Sequence, residues 1–287
     1  MIVVTGASGQ LGAQIVSRLL DRVPADQVGV SVRDPGRAAD LAARGVRVRR
    51  GDFTDPGTLA SAFEDASQVL VVSVDSLGEQ AVAQHRTAVD AAQRAGAQRI
   101  LYTSHQAASP SSLFEPARDH AATEAHLAAS GVPYTALRDG FHAATVPHLL
   151  GRALETGELV APADGPVSWT THADLAAAAA AILTDPDRPA SETPVLTAAE
   201  AVDLDAVAAV LSDLVGRTVR RVVVGDEEYV SGLVGHGVPE PAARMFLTLF
   251  QAARRGEFAV TDPALAALLG REPESIRTVL QAATAAS

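Results

Sequence analysis

The amino-acid sequence predicts an α/β fold with a doubly wound parallel sheet and a smaller, interleaved C-terminal α/β lobe. Two observations support this class. Short apolar runs alternate with segments of helical period through the first half of the 287 residues, and the second half continues with helices and fewer strands. Strands that alternate with helices form βαβ units, whose right-handed crossovers place helices on both faces of the sheet.

Six short runs rich in apolar and β-branched residues are predicted to be strands of this sheet. They are Ile2–Thr5, Gln27–Val32, Val46–Arg50, Val69–Val74, Arg99–Thr103 and Tyr134–Arg138. Between the first two, Leu11, Ile15 and Leu19 recur at helical spacing and mark the buried face of a helix. Asp55 and Pro56 are typical of a helix start, with Asp as the N-cap and Pro at the first helical position.

The second half of the chain is predicted to be mostly helical. Its predicted elements are a helix at Thr170–Leu183 that begins at or next to Thr171, a short strand at Val195–Thr197, a helix at Leu204–Val215 and a strand at Arg220–Val224. The sequence contains no internal repeat and no clear linker, so two interleaved lobes are expected rather than two separate domains.

Composition excludes several kinds of chemistry. The chain has no Cys, and all 23 of its basic residues are Arg. Cysteine nucleophiles, thiolate metal sites and lysine bases are therefore excluded, and no spacing of His or carboxylates indicates a metal. The net charge of −11 argues against a nucleic-acid partner. The longest apolar run, Leu175–Leu183, is too short to span a bilayer, and no basic segment precedes Ile2, so a cytoplasmic protein without a membrane partner is expected.

The segment between the first strand and the first helix carries the strongest functional signal. It has the spacing G-x-x-G-x-x-G and consists of Gly6, Ala7, Ser8, Gly9, Gln10, Leu11 and Gly12. In such a turn Gly6 permits the tight bend, Gly9 lets backbone N–H groups approach a pyrophosphate, and Gly12 lets the helix pack close to the sheet. The helix N-terminus then faces the anion. This motif predicts a Rossmann domain in residues 1–150 that binds a nicotinamide dinucleotide, with residues 151–287 as a smaller, mostly helical substrate lobe that is partly interleaved with it.

Residues at the ends of the second and third strands are candidates for the adenosine half of that cofactor. Arg33 stands about twenty residues after the last glycine, where the ribose is recognised in this fold. A guanidinium there can hold a 2′-phosphate through two hydrogen bonds, so NADP(H) is the expected cofactor. Asp34, one residue later, keeps NAD(H) as the alternative. Asp52 and Phe53 follow the third strand and are expected beside the adenine, although a helix-capping turn also explains them.

Residues that follow strands four, five and six are expected in the cleft, because ligands of this fold bind outside the carboxyl ends of the strands. The candidates for cofactor binding are Ser73, Val74 and Ser104, and those for acceptor binding are His105, Gly140, Phe141 and His142. Phe141 offers an aromatic face to a planar ring. The remaining histidines receive structural interpretations: His85 at the start of a helix, His172 in a helix cap, and His126, His148 and His236 at the surface or in packing.

Further motifs extend along the chain to about residue 280. They are Val32-Arg33-Asp34-Pro35, Gly51-Asp52-Phe53, Gln84-His85-Arg86, Tyr102-Thr103-Ser104, Gly131-Val132-Pro133-Tyr134-Thr135, Leu137-Arg138-Asp139-Gly140 and Leu269-Gly270-Arg271-Glu272-Pro273. Together they resemble the NmrA-like, atypical short-chain dehydrogenase/reductase families, and most closely the type 2 NAD(P)H:quinone oxidoreductases.

The resemblance implies an oxidoreductase that transfers hydride from NAD(P)H to a quinone or a similar electron-poor small molecule. A non-enzymatic, NADP(H)-sensing regulator is the alternative, and a reductase of another conjugated carbonyl or imine ranks third; a homodimer is compatible with the sequence. The Tyr-x-x-x-Lys pair of conventional short-chain dehydrogenases is absent, since the chain has no Lys. A lysine of related reductases corresponds to His120, which makes His120 the candidate catalytic residue, with Glu124 one helical turn later. His120 is expected to supply a proton near neutral pH, or else to be a surface His paired with Glu124.

Overall fold

The computed structural model describes residues 1–189 and 191–285 of the chain. Seven parallel strands form the central sheet in the order β3-β2-β1-β4-β5-β6-β8, and two further parallel strands, β7 and β9, form a small second sheet. The strands are β1 Ile2–Thr5, β2 Val28–Val32, β3 Arg47–Arg50, β4 Gln68–Val71, β5 Arg99–His105, β6 Tyr134–Asp139, β7 Glu158–Pro162, β8 Val195–Leu196 and β9 Arg220–Val224. The order reverses direction between β1 and β4, which is the topological switch point of a doubly wound sheet.

Helices cover both faces of the central sheet and fill the second lobe. They are α1 Gln10–Leu20, α2 Ala39–Ala43, α3 Pro56–Ala62, α4 Gly78–Arg94, α5 Glu115–Ala129, α6 Val146–Leu149, α7 Ala153–Thr156, α8 His172–Thr184, α9 Leu204–Val215, α10 Asp226–Gly235, α11 Glu240–Arg254, α12 Ala264–Leu269 and α13 Ile276–Ala285. The doubly wound Rossmann fold predicted from the sequence is confirmed.

Two cores flank the central sheet. On one face, Leu70 and Leu101 of the sheet pack with Ile15 of α1 and Leu175 of α8. The other face packs against α3, α4 and α5, where Tyr102 is fully buried. Because β strands alternate their side chains between faces, successive residues of β5 and β6 contribute to opposite cores.

The second lobe has a core of its own, in which α9, α11 and α13 pack with β7. The chain passes between the lobes more than once. Phe114 and Phe141, from the first half of the chain, belong to this second core. In the other direction, α8, β8 and α12 come from the second half but pack on the central sheet or extend it.

The structure differs from the sequence-based elements at a few ends. The fourth strand ends at Val71 rather than Val74, because the next N–H groups, of Val72 and Ser73, donate to the hydroxyls of Thr5 and Thr103 instead of to a strand partner. The fifth strand continues to His105. Strand β7 was not anticipated, since Gly157 before it and a proline at its last position obscure a short half-buried strand. Within the described residues, no helix combines the length and the apolar character needed to cross a membrane.

Candidate active site

The glycine turn joins β1 to α1 through close backbone contacts. Gly6 has φ +63°, and its carbonyl accepts a hydrogen bond of 2.9 Å from the N–H of Gly9. A Cβ atom placed on Gly12 would lie 2.3 Å from the Gly6 carbonyl oxygen, so only glycine fits there. Gly9 has an extended backbone. A Cβ atom placed on Gly9 would lie 3.3 Å from its nearest neighbour, which is again the Gly6 carbonyl oxygen. The turn therefore presents the start of α1 directly at the carboxyl edge of β1.

The N-terminus of α1 has the properties of an anion site. Gly9 is its N-cap and supplies no capping side chain, and the first turn contains no acidic residue. Ser8, Gly9 and Gln10 are exposed, whereas Ala7 and Leu11 anchor the turn in the core. First-turn N–H groups without a side-chain cap, at the positive end of the helix dipole, fit the pyrophosphate of a dinucleotide.

The end of β2 places Arg33 and Asp34 in different roles. Arg33 is exposed and makes no hydrogen bond or ion pair with the described residues. Asp34 accepts a hydrogen bond of 3.0 Å from the Gly36 N–H and thereby caps the short 3-10 turn 35–38. Its carboxylate is thus directed to its own turn, while the Arg33 guanidinium is available to a ligand.

The segment after β3 combines both interpretations made from the sequence. Asp52 accepts hydrogen bonds from the N–H and hydroxyl of Thr54, and these contacts lower the pKa of its carboxyl, with Arg33 adding a smaller electrostatic effect. Phe53 is partly buried against the core of α3 and α4. Asp55 is the N-cap of α3, but its side chain makes no capping hydrogen bond and lies 3.5 Å from Arg50.

A cavity of about 290 Å³ lies at the carboxyl edge of the sheet, between β4–β6, α5 and α11. Its lining residues are Ser73, Thr103, Ser104, His105, Phe114, Pro116, His120, Asp139, Phe141, His142, Thr145, Met245, Phe246 and Leu249. Most of the surface that lines the cavity is apolar, and the lining contains no Arg. Such a cavity suits a largely apolar, planar ligand held by a few polar groups.

Most of the residues predicted for the cleft line this cavity, and two do not. Val74 donates its N–H to the imidazole of His85, 3.1 Å away, and so lies behind the cavity wall. Gly140 is buried beneath Thr170, whose hydroxyl would lie 2.1 Å from a Cβ at that position. Gly140 therefore shapes the end of β6 by letting the chain approach Thr170.

His85 begins a chain of hydrogen bonds that reaches the cavity. It lies in the middle of α4 rather than at its start, and it is almost completely buried. Its Nε2 accepts from the Val74 N–H, so the proton of the neutral ring is on Nδ1. Nδ1 is 3.1 Å from the hydroxyl of Thr123, which itself donates to a backbone carbonyl and so accepts from His85. Burial lowers the pKa of His85 to about 4.

Tyr102 links His85 to His120. Its hydroxyl lies 3.3 Å from Nδ1 of His85 and 2.7 Å from Nδ1 of His120. The hydroxyls of Thr123 and Tyr102 share the single proton on Nδ1 of His85, with Thr123 the nearer acceptor, so the tyrosine O–H is left to donate to Nδ1 of His120, its shorter contact. The ring proton of neutral His120 is then on Nε2, the nitrogen that has no partner among the described residues.

His120 is accordingly a hydrogen-bond donor in its neutral form. Burial, together with nearby His105, His85 and His142, lowers its pKa well below the ordinary value. The lowered pKa favours a neutral ring at pH 7 over an imidazolium, and the proton-donor role of His120 stays a prediction. The alternative of a surface His paired with Glu124 is wrong, since Glu124 forms a bidentate ion pair with Arg138 and accepts from Ser104.

Two further histidines of the cavity are held neutral. Nδ1 of His105 accepts from the Ala107 N–H at 3.1 Å, which leaves the proton on Nε2, and burial lowers the pKa of His105 to about 3. His142 stacks edge-on against His172 with ring centroids 4.5 Å apart, and burial lowers its pKa to about 4. Thr171, not His172, caps α8 through its side chain. The cavity thus contains imidazole donors and no cation.

Sequence reasoning missed several lining residues. Met245, Phe246 and Leu249 come from α11, more than 100 residues after the sheet edge they face. Their apolar period on α11 predicts a buried helix face but not which cavity it covers. Asp139 was passed over within the Arg138–Gly140 motif, yet it is buried and lines the cavity. Its position as the last residue of a strand was the available signal.

No group of three His, Asp or Glu side chains in the described parts of the chain is arranged to hold a metal ion.

The strand order and the glycine turn define the class of protein: a Rossmann-fold protein with a dinucleotide site at the switch point and a second site beside it. The family follows from comparison. The chain belongs to the NmrA-like family, whose model matches residues 1–278.

Several relatives are named as oxidoreductases or reductases. Quinone oxidoreductase 2 of Escherichia coli K12 is 34% identical over 273 residues, 94% of each chain. An NAD(P)H azoreductase of Xenophilus azovorans is 32% identical over 254 residues, 88% of this chain and 87% of the relative. The crystal structure of a Citrobacter triphenylmethane reductase complexed with NADP(H) has a TM-score of 0.92 at 34% identity and covers 99% of this chain and all of its own.

Proposed function

We propose that this protein is an NADPH-dependent oxidoreductase that transfers hydride to a quinone or a similar electron-poor acceptor. The observation that carries this proposal is the cavity at the carboxyl edge of the sheet, where neutral imidazole donors face an apolar space beside the glycine turn. The relatives named for quinone, azo-compound and triphenylmethane reduction support the same class of reaction.

The residues present fit an NADP(H) cofactor. The uncapped start of α1 and the Gly12 contact with Gly6 provide the close backbone approach that a pyrophosphate needs. Arg33 makes no hydrogen bond or ion pair with the described residues and is available to a 2′-phosphate. Ser73 and Ser104 line the cavity. The bound reduced nicotinamide supplies the hydride.

The chain's own contribution is positioning and hydrogen bonding. His120 presents Nε2–H to the cavity and can donate to an acceptor oxygen on which negative charge develops. A quinone needs little acid catalysis because its reduction produces an aromatic ring, so a neutral donor and correct placement suffice. This fits a site that has neither the Tyr-Lys pair nor a charged acid.

We propose that the protein acts on a small-molecule acceptor in the cytoplasm. We also propose that it has no nucleic-acid or membrane partner. The homodimer with which the sequence is compatible stays a prediction, as does the domain boundary near residue 150.

Steady-state NADPH oxidation with a panel of quinones and one enone tests the proposal. We expect turnover with the quinones, and a loss of about 10²-fold or less in His120→Ala that is larger for the enone than for the quinones, since the weaker acceptor depends more on the donor. His148→Ala, at an exposed position of α6, is the matched control and should behave as wild type. Tight NADPH binding without turnover of any acceptor would instead indicate the non-enzymatic regulator.

A further inference from the structure

The carboxyl group of Asp139 has no role in the mechanism above. Asp139 ends β6, is 3% exposed and lines the cavity. Its carboxyl oxygens make no hydrogen bond or ion pair with the described residues. The neighbouring Arg138 points to the opposite face of the sheet, where Glu124 holds it. A carboxylate without partners in apolar surroundings is costly, and the neutral acid is favoured.

The side chains around Asp139 do not offset the free-energy cost of burying its carboxylate. His105 on β5 is its register partner, and Leu196 on β8 is the partner on the other side. Tyr102 on β5 interacts electrostatically with Asp139, and His120 on α5 and His142 after β6 line the same cavity. Burial raises the pKa of Tyr102 and lowers those of the three cavity histidines, so all of these groups favour their neutral forms at pH 7. Burial raises the pKa of the Asp139 carboxyl well above its usual range.

We propose that Asp139 is a second acceptor-binding residue, a neutral carboxylic acid whose O–H donates a hydrogen bond to an oxygen of the acceptor. This inference rests on the proposed function and narrows its substrate class to acceptors with uncharged carbonyl oxygens, since the donors Asp139, His105 and His120 of the cavity are all neutral. Reduction of a quinone consumes one hydride, from NADPH, and one proton. The Asp139 O–H bond breaks as the hydroquinone O–H bond forms, and solvent then returns a proton to the carboxylate.

Infrared difference spectroscopy tests the protonation state without cofactor or turnover. At pH 7 the wild-type protein should show the carbonyl stretch of a protonated carboxylic acid that is missing in Asp139→Asn. Asp26→Asn, at an exposed position before β2 and far from the carboxyl edge, is the matched control and should retain that band. A wild-type spectrum that differs from Asp139→Asn only in carboxylate bands would overturn the proposal.

Kinetics with a benzoquinone test the donation itself. Wild-type kcat/KM should fall about tenfold per pH unit above the Asp139 pKa, because ionisation removes the donor. Asp139→Asn keeps an N–H donor and cannot ionise, so its profile should be flat over the same range. Asp139→Leu has no donor, so its kcat/KM should be about 10- to 100-fold below that of wild type at pH values under the Asp139 pKa and should not vary over the same range. Its thermal stability should not fall, since it replaces an unpaired buried carboxyl.

Three outcomes would contradict the donor role. Asp139→Leu could match wild type, or Asp139→Asn could follow the wild-type pH profile. Alternatively, wild-type activity could rise with pH for an N-alkylpyridinium acceptor and stay constant for the quinone, which would make Asp139 a counter-ion for cations. Absence of turnover in all variants would overturn the proposed function and the donor role together, whereas the infrared band would still establish the protonated carboxyl.

Discussion

At the scale of single residues, Tyr102 determines which nitrogen of His120 faces the cavity. Tyr102→Phe removes the hydroxyl that donates to Nδ1 of His120 and leaves the ring shape unchanged. We expect a loss of about 10-fold in kcat for a weak acceptor, little change in NADPH affinity, and a cost of about 1–2 kcal/mol in unfolding free energy from the lost hydrogen bonds. Nitrogen NMR of labelled histidine should show His120 as the Nε2–H tautomer in wild type and a mixture of tautomers in the variant.

A merely structural Tyr102 would give a different pattern. The unfolding free energy would still fall, but the His120 tautomer and the ratio of rates for weak and strong acceptors would not change. Tyr134→Phe is a suitable control, because Tyr134 is partly buried on the same face of the sheet and contacts neither histidine. The role of Tyr102 is thus separable from the packing of the core.

Arg33 is expected to decide between the two nicotinamide cofactors. A charge-assisted bidentate contact with the 2′-phosphate contributes about 1.5–3 kcal/mol, which corresponds to roughly 10- to 100-fold in affinity. Arg33→Ala should weaken NADPH binding by that factor in calorimetry and leave NADH binding nearly unchanged. Arg22→Ala, which removes another exposed arginine after α1, serves as the control. Equal losses for both cofactors would show that Arg33 does not contact the phosphate.

At the scale of elements, the β1–α1 turn contains two glycines with separable roles. Gly12→Ala places a Cβ 2.3 Å from a backbone oxygen, and overpacking of this kind costs about 1–3 kcal/mol or more. Gly9 has extended backbone that valine adopts, so Gly9→Val should fold normally but lose detectable dinucleotide binding, because its side chain occupies the phosphate position. Denaturant unfolding and calorimetry distinguish the two, with Ala13→Val, exposed on the same helix, as control. Normal NADPH binding by Gly9→Val would place the site elsewhere.

The elements of the first lobe were predictable because their signals are local. A buried parallel strand such as β1 or β2 is a short continuous apolar run, and the glycine turn fixes where the first helix starts. Strand β7 escaped prediction because its pairing with β9 joins residues about sixty positions apart, and a half-buried two-stranded ribbon leaves little periodicity. The sequence analysis placed His85 at the start of a helix, whereas it lies in the middle of α4. A buried polar residue does not mark a helix end.

The site was predictable where it depends on strand ends and not where it depends on long-range packing. Ser104, His105 and His142 follow from the carboxyl-end rule. The partner of His120 does not follow from helical spacing. Glu124 lies one helical turn away on α5, but its carboxylate pairs with Arg138 of β6. Only the three-dimensional arrangement brings Tyr102 to His120.

At the scale of the whole molecule, the interlocked lobes hold four histidines in neutral form around the sheet edge. They are His85, His105, His120 and His142, and burial is the first cause of the lowered pKa of each. In the unfolded chain the same side chains titrate near pH 6.5. The folded protein therefore binds fewer protons than the unfolded chain below that pH.

This difference in bound protons predicts that the free energy of unfolding is highest above pH 6.5 and decreases as the pH falls toward 4. In that window, each histidine that stays neutral in the folded protein lowers the free energy of unfolding by about 1.4 kcal/mol per pH unit. For His85, with a folded pKa of about 4, the total is on the order of 3 kcal/mol. Asp139, Asp119 and Asp164 act in the opposite direction, because their raised pKa values let the folded protein take up protons before the unfolded chain does. Three carboxyls offset at most three histidines, so the net slope still favours unfolding in acid.

Denaturant unfolding at half-unit steps from pH 7.5 to 4.5 measures this slope, and two kinds of variant assign it. Asp139→Asn removes one opposing group and should make the loss of stability steeper by about 1.4 kcal/mol per pH unit below the Asp139 pKa. His148→Ala and His236→Ala remove exposed histidines and should leave the slope as it is in wild type. A free energy of unfolding that stays constant between pH 6.5 and 5 in wild type and also in Asp139→Asn would mean that the four histidines take up protons in the folded protein as they do in the unfolded chain. In that case His120 would carry a positive charge in the cavity, and the neutral-donor mechanism would have to be replaced by one in which an imidazolium faces the acceptor.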